Sequence, residues 1–585
     1  MNRIEPIYSE KNECQDCYKC VRHCPVKAIR IQDGSAVVMP EACIMCGRCV
    51  QVCPAGAKHV RDDIDLAQAL IDSGRKVILS LAPSFASHYD QIDPEHLLGA
   101  IHALGFAEVS ETALGAEQVS QAVADQLATM DHGLLISTAC PAAVDYVRMK
   151  HPHLCPSLTN LHSPLCVHAG MLRQIYGEDI AVVFAGPCIA KKREADLFPD
   201  RVNVSLTFEE LDRWFAQAGI DPSQAEPDHA GFVPVTARGG RLYPIEGGMC
   251  ATVDRYCERP QFRTLSVSGM ESVALTLRGL DPESLRPPMF LELLTCPGGC
   301  INGPRSHNPG TLLARQQVMA ISDSEDRQPA LDVTGVMDRS IAAQSDGPKP
   351  YREDQIRAAL ARVGKTCDND ELNCGGCGYF TCRDFATALL EGKAEESMCV
   401  SYMRRLAQKT ANALIRTIPF GVVMVDAHFK VVDANDRFVK LMGPEVERIN
   451  ECVPGLKGAN IDKLLPIRDS FEKVFATGED CASRMMHVQE NILRVTVFLV
   501  EPRHVAGALI EDVTDIEQRR EDVVRKARQV IQNSLSTVQD IAKRLGRNAA
   551  DSEIILNSIV ETYGPAEIEQ PQPEKKAPQT GGLTS

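Results

Sequence analysis

Two cysteine runs, "CQDCYKCVRHCP" starting at Cys14 and "CIMCGRCVQVCP" starting at Cys43, share the spacing C-x2-C-x2-C-x3-C-P. This run holds paired [4Fe–4S] clusters: three thiolates wrap one face of a cubane and the fourth crosses to the neighbouring cluster. It assigns Cys14, Cys17, Cys20 and Cys53 to one cluster and Cys43, Cys46, Cys49 and Cys24 to the other. Zinc fits the pattern poorly, because zinc sites use two cysteine pairs per metal rather than two four-cysteine runs ending in Pro. Three further positions carry isolated cysteines at the ends of apolar runs: Cys140 after "GLLIST", Cys188 after "AVVFAGP" and Cys296 after "MFLELLT". The last continues as "CPGGC", where the Gly-Gly pair lets the backbone turn closely around a bound group before Cys300.

The elements that must hold these residues follow from hydrophobic patterning. From about residue 76, short apolar runs such as "KVILSLAPS" alternate with amphipathic stretches such as "DRWFAQAG", which predicts β-α alternation and a mainly parallel sheet. Ligands bind at strand ends in such folds. The expected fold class is therefore multidomain α/β and α+β. It comprises a ferredoxin-like N-terminal domain, a two-lobed α/β domain with mainly parallel sheets, a small helical Fe–S domain, an α+β domain and a C-terminal helix.

The N-terminal runs resemble the bacterial two-cluster ferredoxin module, which implies an electron wire rather than a catalyst. "STACP", "GPCIAKKRE" and "LLTCPGGCINGP" together resemble the active-site domain of [FeFe]-hydrogenases, whose three signatures carry the cysteines of the H-cluster. The resemblance implies that Cys140, Cys188, Cys296 and Cys300 hold its [4Fe–4S] half, with Cys300 also bridging to a diiron half bearing CO and cyanide. It implies that Lys191 hydrogen-bonds one cyanide and that Ser84, in "LAPS", lies near the other. Glu194 matches the family glutamate after that lysine, and Thr159 keeps a hydroxyl near the usual relay serine.

The chain also departs from the family. Catalytic members keep a second cysteine just before the first ligand, where the thiol passes protons to and from the diiron site; here that position is Ala139. A methyl group carries no proton, and loss of a positioned acid/base lowers rate by about 10²–10⁴. Two family methionines are Gly186 and Leu294, a family glutamine is Leu165, and "ALGAEQVSQAVADQ" has lost the relay glutamates.

After a Pro- and charge-rich linker near 322–352, "LNCGGCGYFTCRDFATALLEGKAEESMC" has the spacing C-x2-C-x4-C-x16-C. It resembles a small [4Fe–4S] domain, which implies a third cluster on Cys374, Cys377, Cys382 and Cys399; zinc is the alternative, and Cys367 falls outside the spacing. Residues 412–515 resemble a PAS domain, two strands and a helix followed by another helix and three strands, with no sign of which ligand it holds. Cys452 and Cys481 are expected to be packing residues. From Thr514 a helical pattern places Ile531, Leu535, Val538, Ala542 and Leu545 on one seam, which suggests helix pairing across a homodimer, the alternative being a helix laid on its own PAS domain. That helix contains no histidine, the last being His504, so a phosphoaccepting kinase helix is excluded. The tail rich in Pro, Gln and Glu is expected to be disordered.

A net charge of −16 leaves no basic footprint for nucleic acid or anionic lipid. No leader-like start and no run of about 18 apolar residues is present, so the 23 cysteines are expected in the reducing cytoplasm and are read as metal ligands, not disulfides. The expected divisions are 1–62 (two-cluster ferredoxin), 76–345 (H-cluster domain with linker), 353–410 (Fe–S), 412–515 (PAS), 516–563 (helix) and 564–585 (tail). The resemblances together imply a sensory [FeFe]-hydrogenase of low activity with three [4Fe–4S] clusters and an H-cluster. Its partners would be H2, a redox protein such as ferredoxin or flavodoxin, and a cytoplasmic signalling protein. The alternatives are an H2-metabolising enzyme with another proton route and a non-enzymatic hydrogenase-like Fe–S protein without the diiron site.

Overall fold

Strands β1 (Ile7–Ser9), β2 (Ile29–Gln32), β3 (Ser35–Val38) and β4 (Lys58–Val60) form two antiparallel pairs, β1 with β4 and β2 with β3. Each cysteine run ends in a five-residue helix, Lys19–His23 and Arg48–Val52, entered through a left-handed residue, Tyr18 (φ 56°) and Gly47 (φ 74°). The structure is a computed structural model that describes residues 3–257, 262–307, 310–322, 339–342, 351–480, 483–488 and 490–545. It divides into two compact units between Met403 and Arg404.

The α/β region holds β5 (Val77–Leu81), β6 (Glu108–Glu111), β7 (Leu134–Ile136), β8 (Ala181–Gly186), β9 (Val204–Thr207), β10 (Arg263–Ser268) and β11 (Met289–Leu294). They form two parallel sheets, four-stranded in the order β6-β5-β8-β9 and three-stranded in the order β10-β11-β7. Every residue of β5 and β8 is buried, as expected of parallel strands covered by helices on both faces. The three-stranded sheet shares one continuous apolar core with the N-terminal domain and with the third Fe–S region, running from Ile7 and Val21 through Leu291 to Phe385. No motif or spacing signals the packing of that third region.

A buried ionic cluster ties the N-terminal segment to the four-stranded sheet. Lys192 is fully buried and donates to Asp63 Oδ2 (2.8 Å), Glu210 Oε1 (2.8 Å) and the Ser205 carbonyl (2.9 Å). Arg61 adds bonds to Asp63 and Asp196. In the third Fe–S region a reciprocal cap between Thr381 and Asp384 starts the helix Cys382–Leu390, so Cys382 sits at a fixed helix start. Cys399 directly precedes the helix Val400–Thr417.

The second unit contains β12 (Gly421–Asp426), β13 (Val431–Ala434), β14 (Arg484–Val488), β15 (Asn491–Glu501) and β16 (Val505–Asp512) in one antiparallel sheet of order β13-β12-β16-β15-β14. Buried Asn435 holds its entrance together. Its amide donates to the carbonyls of Ile415 and Phe420, and its oxygen accepts from Val422 N and Phe438 N. Cys452 is exposed, so it is not the packing residue expected: the short helix Pro444–Cys452 buries none of its residues. Cys481 lies outside the described residues. A helix of 32 residues, Thr514–Leu545, ends the described chain. Of the expected seam Ile531 is half-buried; the side chains of Leu535, Val538, Ala542 and Leu545, and residues 546–585, lie outside what the structure describes. No helix among the described residues is long and apolar enough to cross a membrane.

Candidate active site

Three strand ends bring the isolated cysteines together. Cys140 follows β7 and caps the helix Pro141–Lys150, Cys188 lies between β8 and the helix Ala190–Leu197, and Cys296 and Cys300 follow β11. Because β7 and β11 belong to one sheet and β8 to the other, the site forms where the carboxyl ends of the two sheets meet. A cavity of about 100 Å³ there is lined by Cys140, Cys188, Cys300, Lys191, Ser84 and Ala139. Cys296 completes the set from outside the cavity, its buried thiol pushed well up by burial and by the charges of Cys300, Cys188 and Cys140.

Glycines let these loops close. Gly299 has φ +107°, and a Cβ there would stand 2.3 Å from the Pro244 carbonyl; one on Gly303 would stand 2.7 Å from Pro187 Cβ. The second contact holds the Cys300 loop against the Cys188 loop, joined also by a bond from Arg305 N to the Pro187 carbonyl (3.1 Å). Gly186, where the family has a methionine, has no space for any side chain: a Cβ would meet Phe184 Cζ at 2.5 Å.

The cavity is lined by two kinds of side chain. Of the polar ones, Lys191 Nζ donates to Ser163 Oγ (2.9 Å) and Glu194 Oε2 (2.5 Å), and Ser163 Oγ also donates to Glu194 Oε2 (2.8 Å). Burial lowers the Lys191 pKa, but the Glu194 carboxylate and the Cys166 and Cys188 thiols outweigh it, so the net shift is upward and the ammonium is retained. Two of its three donors are thereby used. Ser84 is buried, and its Oγ has no hydrogen-bond partner among the described residues; Glu194 Oε1 is in the same condition. The apolar lining includes Ala139, Leu165, Leu294, Ala82 and Phe184. Thr159 does not face this cavity as a relay; it is buried in a hydroxyl pair with Thr138 (2.6 Å).

Two cavity groups escaped the sequence reading. Glu292 lines the cavity from β11 and accepts from Gly247 N (3.0 Å) and Met249 N (3.2 Å), with burial pushing its pKa up. The signal was an acid inside the apolar run "MFLELL". Thr112 starts a buried chain behind the wall: Thr112 Oγ1 to Ser80 Oγ (2.7 Å), Ser80 Oγ to His168 Nδ1 (2.8 Å), and His168 Nε2 to Ser110 Oγ (2.9 Å). Burial lowers the His168 pKa to about 3, so the imidazole is neutral and the chain ends inside the protein.

These residues fit the cofactor that the four cysteines suggest. Burial pushes the Cys188 thiol to about 11 and raises Cys300 further, so a metal cluster would have to supply the positive charge that ionises these two. The unpartnered Ser84 hydroxyl and the spare Lys191 donor face a cavity whose other lining is largely apolar. The ferredoxin-like quartets fit in the same way. Cys20 is raised by burial and feels Cys14 and Cys53, while Cys49 feels Cys43, Cys46, Cys24 and Cys20, so cysteines of both runs lie close together. Cys377 likewise feels Cys399 and Cys374. Among the described residues no three His, Cys, Asp or Glu side chains converge on a single ion. A cubane spreads its thiolates over four iron corners and does not require that they do.

The second ferredoxin-like quartet adjoins the cavity quartet. Cys296 feels the charge of Cys46, and a Cβ on the neighbouring Gly47 would stand 2.5 Å from Pro304 and 2.9 Å from Ile189. Arg193 Nη1 donates to the Cys43 carbonyl (2.5 Å) across the same junction.

Residues 75–304 match the family model for the C-terminal domain of the iron only hydrogenase large subunit. Residues 6–54 match a 4Fe-4S dicluster domain, 370–401 a putative Fe-S cluster domain and 411–479 a PAS domain. Among solved structures, one described by stepwise [FeFe]-hydrogenase H-cluster assembly is 15% identical with a TM-score of 0.36, over 45% of this chain and 88% of that one. A variant of the apo [FeFe]-hydrogenase HydA1 from Chlamydomonas reinhardtii is 15% identical with a TM-score of 0.36, over 48% of this chain and 99% of that one. A PAS domain from Colwellia psychrerythraea is 14% identical with a TM-score of 0.16, over 19% of this chain and 98% of that one. No curated protein matches. The chain therefore carries the C-terminal domain of an iron-only hydrogenase large subunit between a 4Fe-4S dicluster domain and a putative Fe-S cluster domain, with a PAS domain after them.

Proposed function

We propose that the protein is a sensory-type [FeFe]-hydrogenase that binds or slowly turns over H2 and reports the resulting redox state through its PAS domain. The observation that carries this reading is the contrast within one cavity: cysteine, lysine and serine anchors line it, yet Ala139 stands where a proton-passing thiol would be needed. When bound, the diiron group of an H-cluster supplies cleavage of H2 to two protons and two electrons. The chain's own residues then have separate tasks. Cys140, Cys188, Cys296 and Cys300 would hold the cluster. Lys191, kept cationic by Glu194, offers its remaining N–H to an anionic ligand, and Ser84 offers its unpartnered hydroxyl. Ala82, Phe184, Leu165 and Leu294 make part of the cavity lining apolar. Ala139 can neither take nor give a proton, so turnover is slow while binding is retained.

Cys43, Cys46, Cys49 and Cys24, Cys14, Cys17, Cys20 and Cys53, and Cys374, Cys377, Cys382 and Cys399 would hold three [4Fe–4S] clusters, which would supply a path for electrons. A redox protein of the ferredoxin or flavodoxin kind exchanges them. A cytoplasmic signalling partner reads the PAS domain, within a homodimer formed through that domain and the C-terminal helix. The domain divisions given above and a cytoplasmic location belong to the same reading. The test is the infrared spectrum of protein loaded by the hydrogenase maturases. Bands of iron-bound CO and cyanide that shift under H2 are expected, and a spectrum without such bands would overturn it.

A further inference from the structure

The two ferredoxin-like runs continue past their last cysteines as "CPVK" and "CPAG", so Lys27 and Gly56 occupy equivalent places. Both are left-handed, at φ 56° and φ 71°, and both backbone amides donate to the carbonyl of the last cysteine of their run (3.4 Å). Glycine is the ordinary choice at such a turn, and a long side chain there is disfavoured. A Cβ on Gly56 would meet nothing within 4 Å. At Lys27 the same slot is covered by the third Fe–S region.

The contact is built around the Lys27 ammonium. Its Nζ donates to the Gly378 carbonyl (2.6 Å) and to the carbonyls of Val21 (3.0 Å) and Arg22 (3.3 Å), and it stands over the Phe380 and Tyr379 rings at 5.2 and 5.9 Å. Gly378, at φ +93°, permits the approach, since a Cβ there would stand 2.9 Å from Val21 Cγ1. Bonds from Ile31 N to the Lys393 carbonyl (3.1 Å) and from Asp33 N to Glu395 (3.1 Å) fasten the rest of the junction. Burial lowers the Lys27 pKa, while the thiols of Cys24 and Cys377 and the carboxylate of Asp384 pull it up. Cys24 belongs to the quartet beside the cavity and Cys377 to the third. The Cys14 quartet has its own buried cation, Lys58, whose charge acts on Cys14 and Cys20.

We propose that Lys27 is a positioning residue that couples the Cys24 quartet to the Cys374 quartet, so that electrons released at the cavity branch at the Cys24 quartet and reach the third Fe–S site directly. A cation shared by two clusters stabilises the reduced, more negative form of each. It also holds their carrier segments at one separation, and the third quartet ends at Cys399, directly before the helix Val400–Thr417.

The proposal rests on the Fe–S reading above, and redox titration of the full-length reconstituted protein by electron paramagnetic resonance tests the two separately. Absence of cubane signals overturns the Fe–S reading. With all three signals present, assigned with the variants C17S, C46S and C374S, Lys27→Met should lower the midpoint potentials of the Cys24 and Cys374 clusters together and leave the Cys14 cluster in place. Lys27→Arg, which keeps the charge, should hold both near wild type. A shift in neither or in only one of the two overturns the proposal. Where Lys27→Met also abolishes the magnetic interaction between the two reduced clusters, Lys27→Arg decides. Interaction and both potentials restored support the proposal, and interaction restored with potentials still low contradicts it.

Discussion

The polar and the apolar lining of the cavity differ in what they can do to a ligand. Around Lys191 three polar side chains close on one another, hold an ammonium and leave a donor over, and Ser84 adds an unpartnered hydroxyl. Ala139, Leu165 and Leu294 bring only hydrocarbon to the same cavity. In the proposed reading the first set binds and orients an anionic group, and Ala139 passes no proton. Anchoring and turnover would then be carried by different residues, and substitutions can take them apart.

The largest effect is expected where both functions end together. Cys188→Ser should lose the infrared bands of the loaded protein entirely, together with any H2-dependent signal, because the cavity quartet cannot then close. Lys192→Met sharpens the comparison from the other side. Lys192 is adjacent to Lys191 in sequence but points into the buried Asp63–Glu210 pair, so its loss leaves Glu210 without a cation and Asp63 with Arg61 alone. Breaking such a cluster destabilises by about 3–5 kcal/mol. Chemical denaturation should record that loss, while protein that remains folded at low temperature keeps its infrared bands.

Acid should act through His168 behind the cavity. Its folded pKa lies near 3, below the ordinary 6.5, so between these values the unfolded chain binds a proton that the folded chain refuses. The stability it contributes is complete above pH 6.5 and falls by about 1.4 kcal/mol per unit as pH drops toward 3. His168→Gln should flatten that part of the stability–pH curve. The smallest effect is expected at Ser84. Replacing it with Ala removes the hydrogen bond its hydroxyl would give a bound cyanide, worth about 0.5–1.5 kcal/mol and visible as a shift of one cyanide band with the CO bands little changed.

The positions of Cys140, Cys188 and Cys296 were legible because apolar runs mark buried parallel strands and each cysteine falls at the end of one. The two four-cysteine runs were legible because run spacing is local. What the sequence hid was contact between segments far apart in the chain. Nothing in "CPVK" reveals that Gly378, 351 residues away, would receive the Lys27 ammonium. Glu292 stayed hidden because it lies inside a strand pattern otherwise wholly apolar, and only its bonds to Gly247 and Met249 explain how a carboxyl is accommodated there. The exposed Cys452 shows the reverse case, since a cysteine in a short surface helix has no pattern that separates it from a buried one.

The central claim is that the anchors are kept while the proton hand-off is lost, and Ala139→Cys tests it most directly. Ala139 is part-buried on the cavity wall, one residue before Cys140, so a thiol there would enter the same space. With wild type and variant loaded identically and matched by their infrared bands, H2 turnover by Ala139→Cys should exceed wild type by a factor on the order of 10²–10⁴. Wild-type turnover already at the level of a catalytic hydrogenase and unchanged by the substitution would contradict the account.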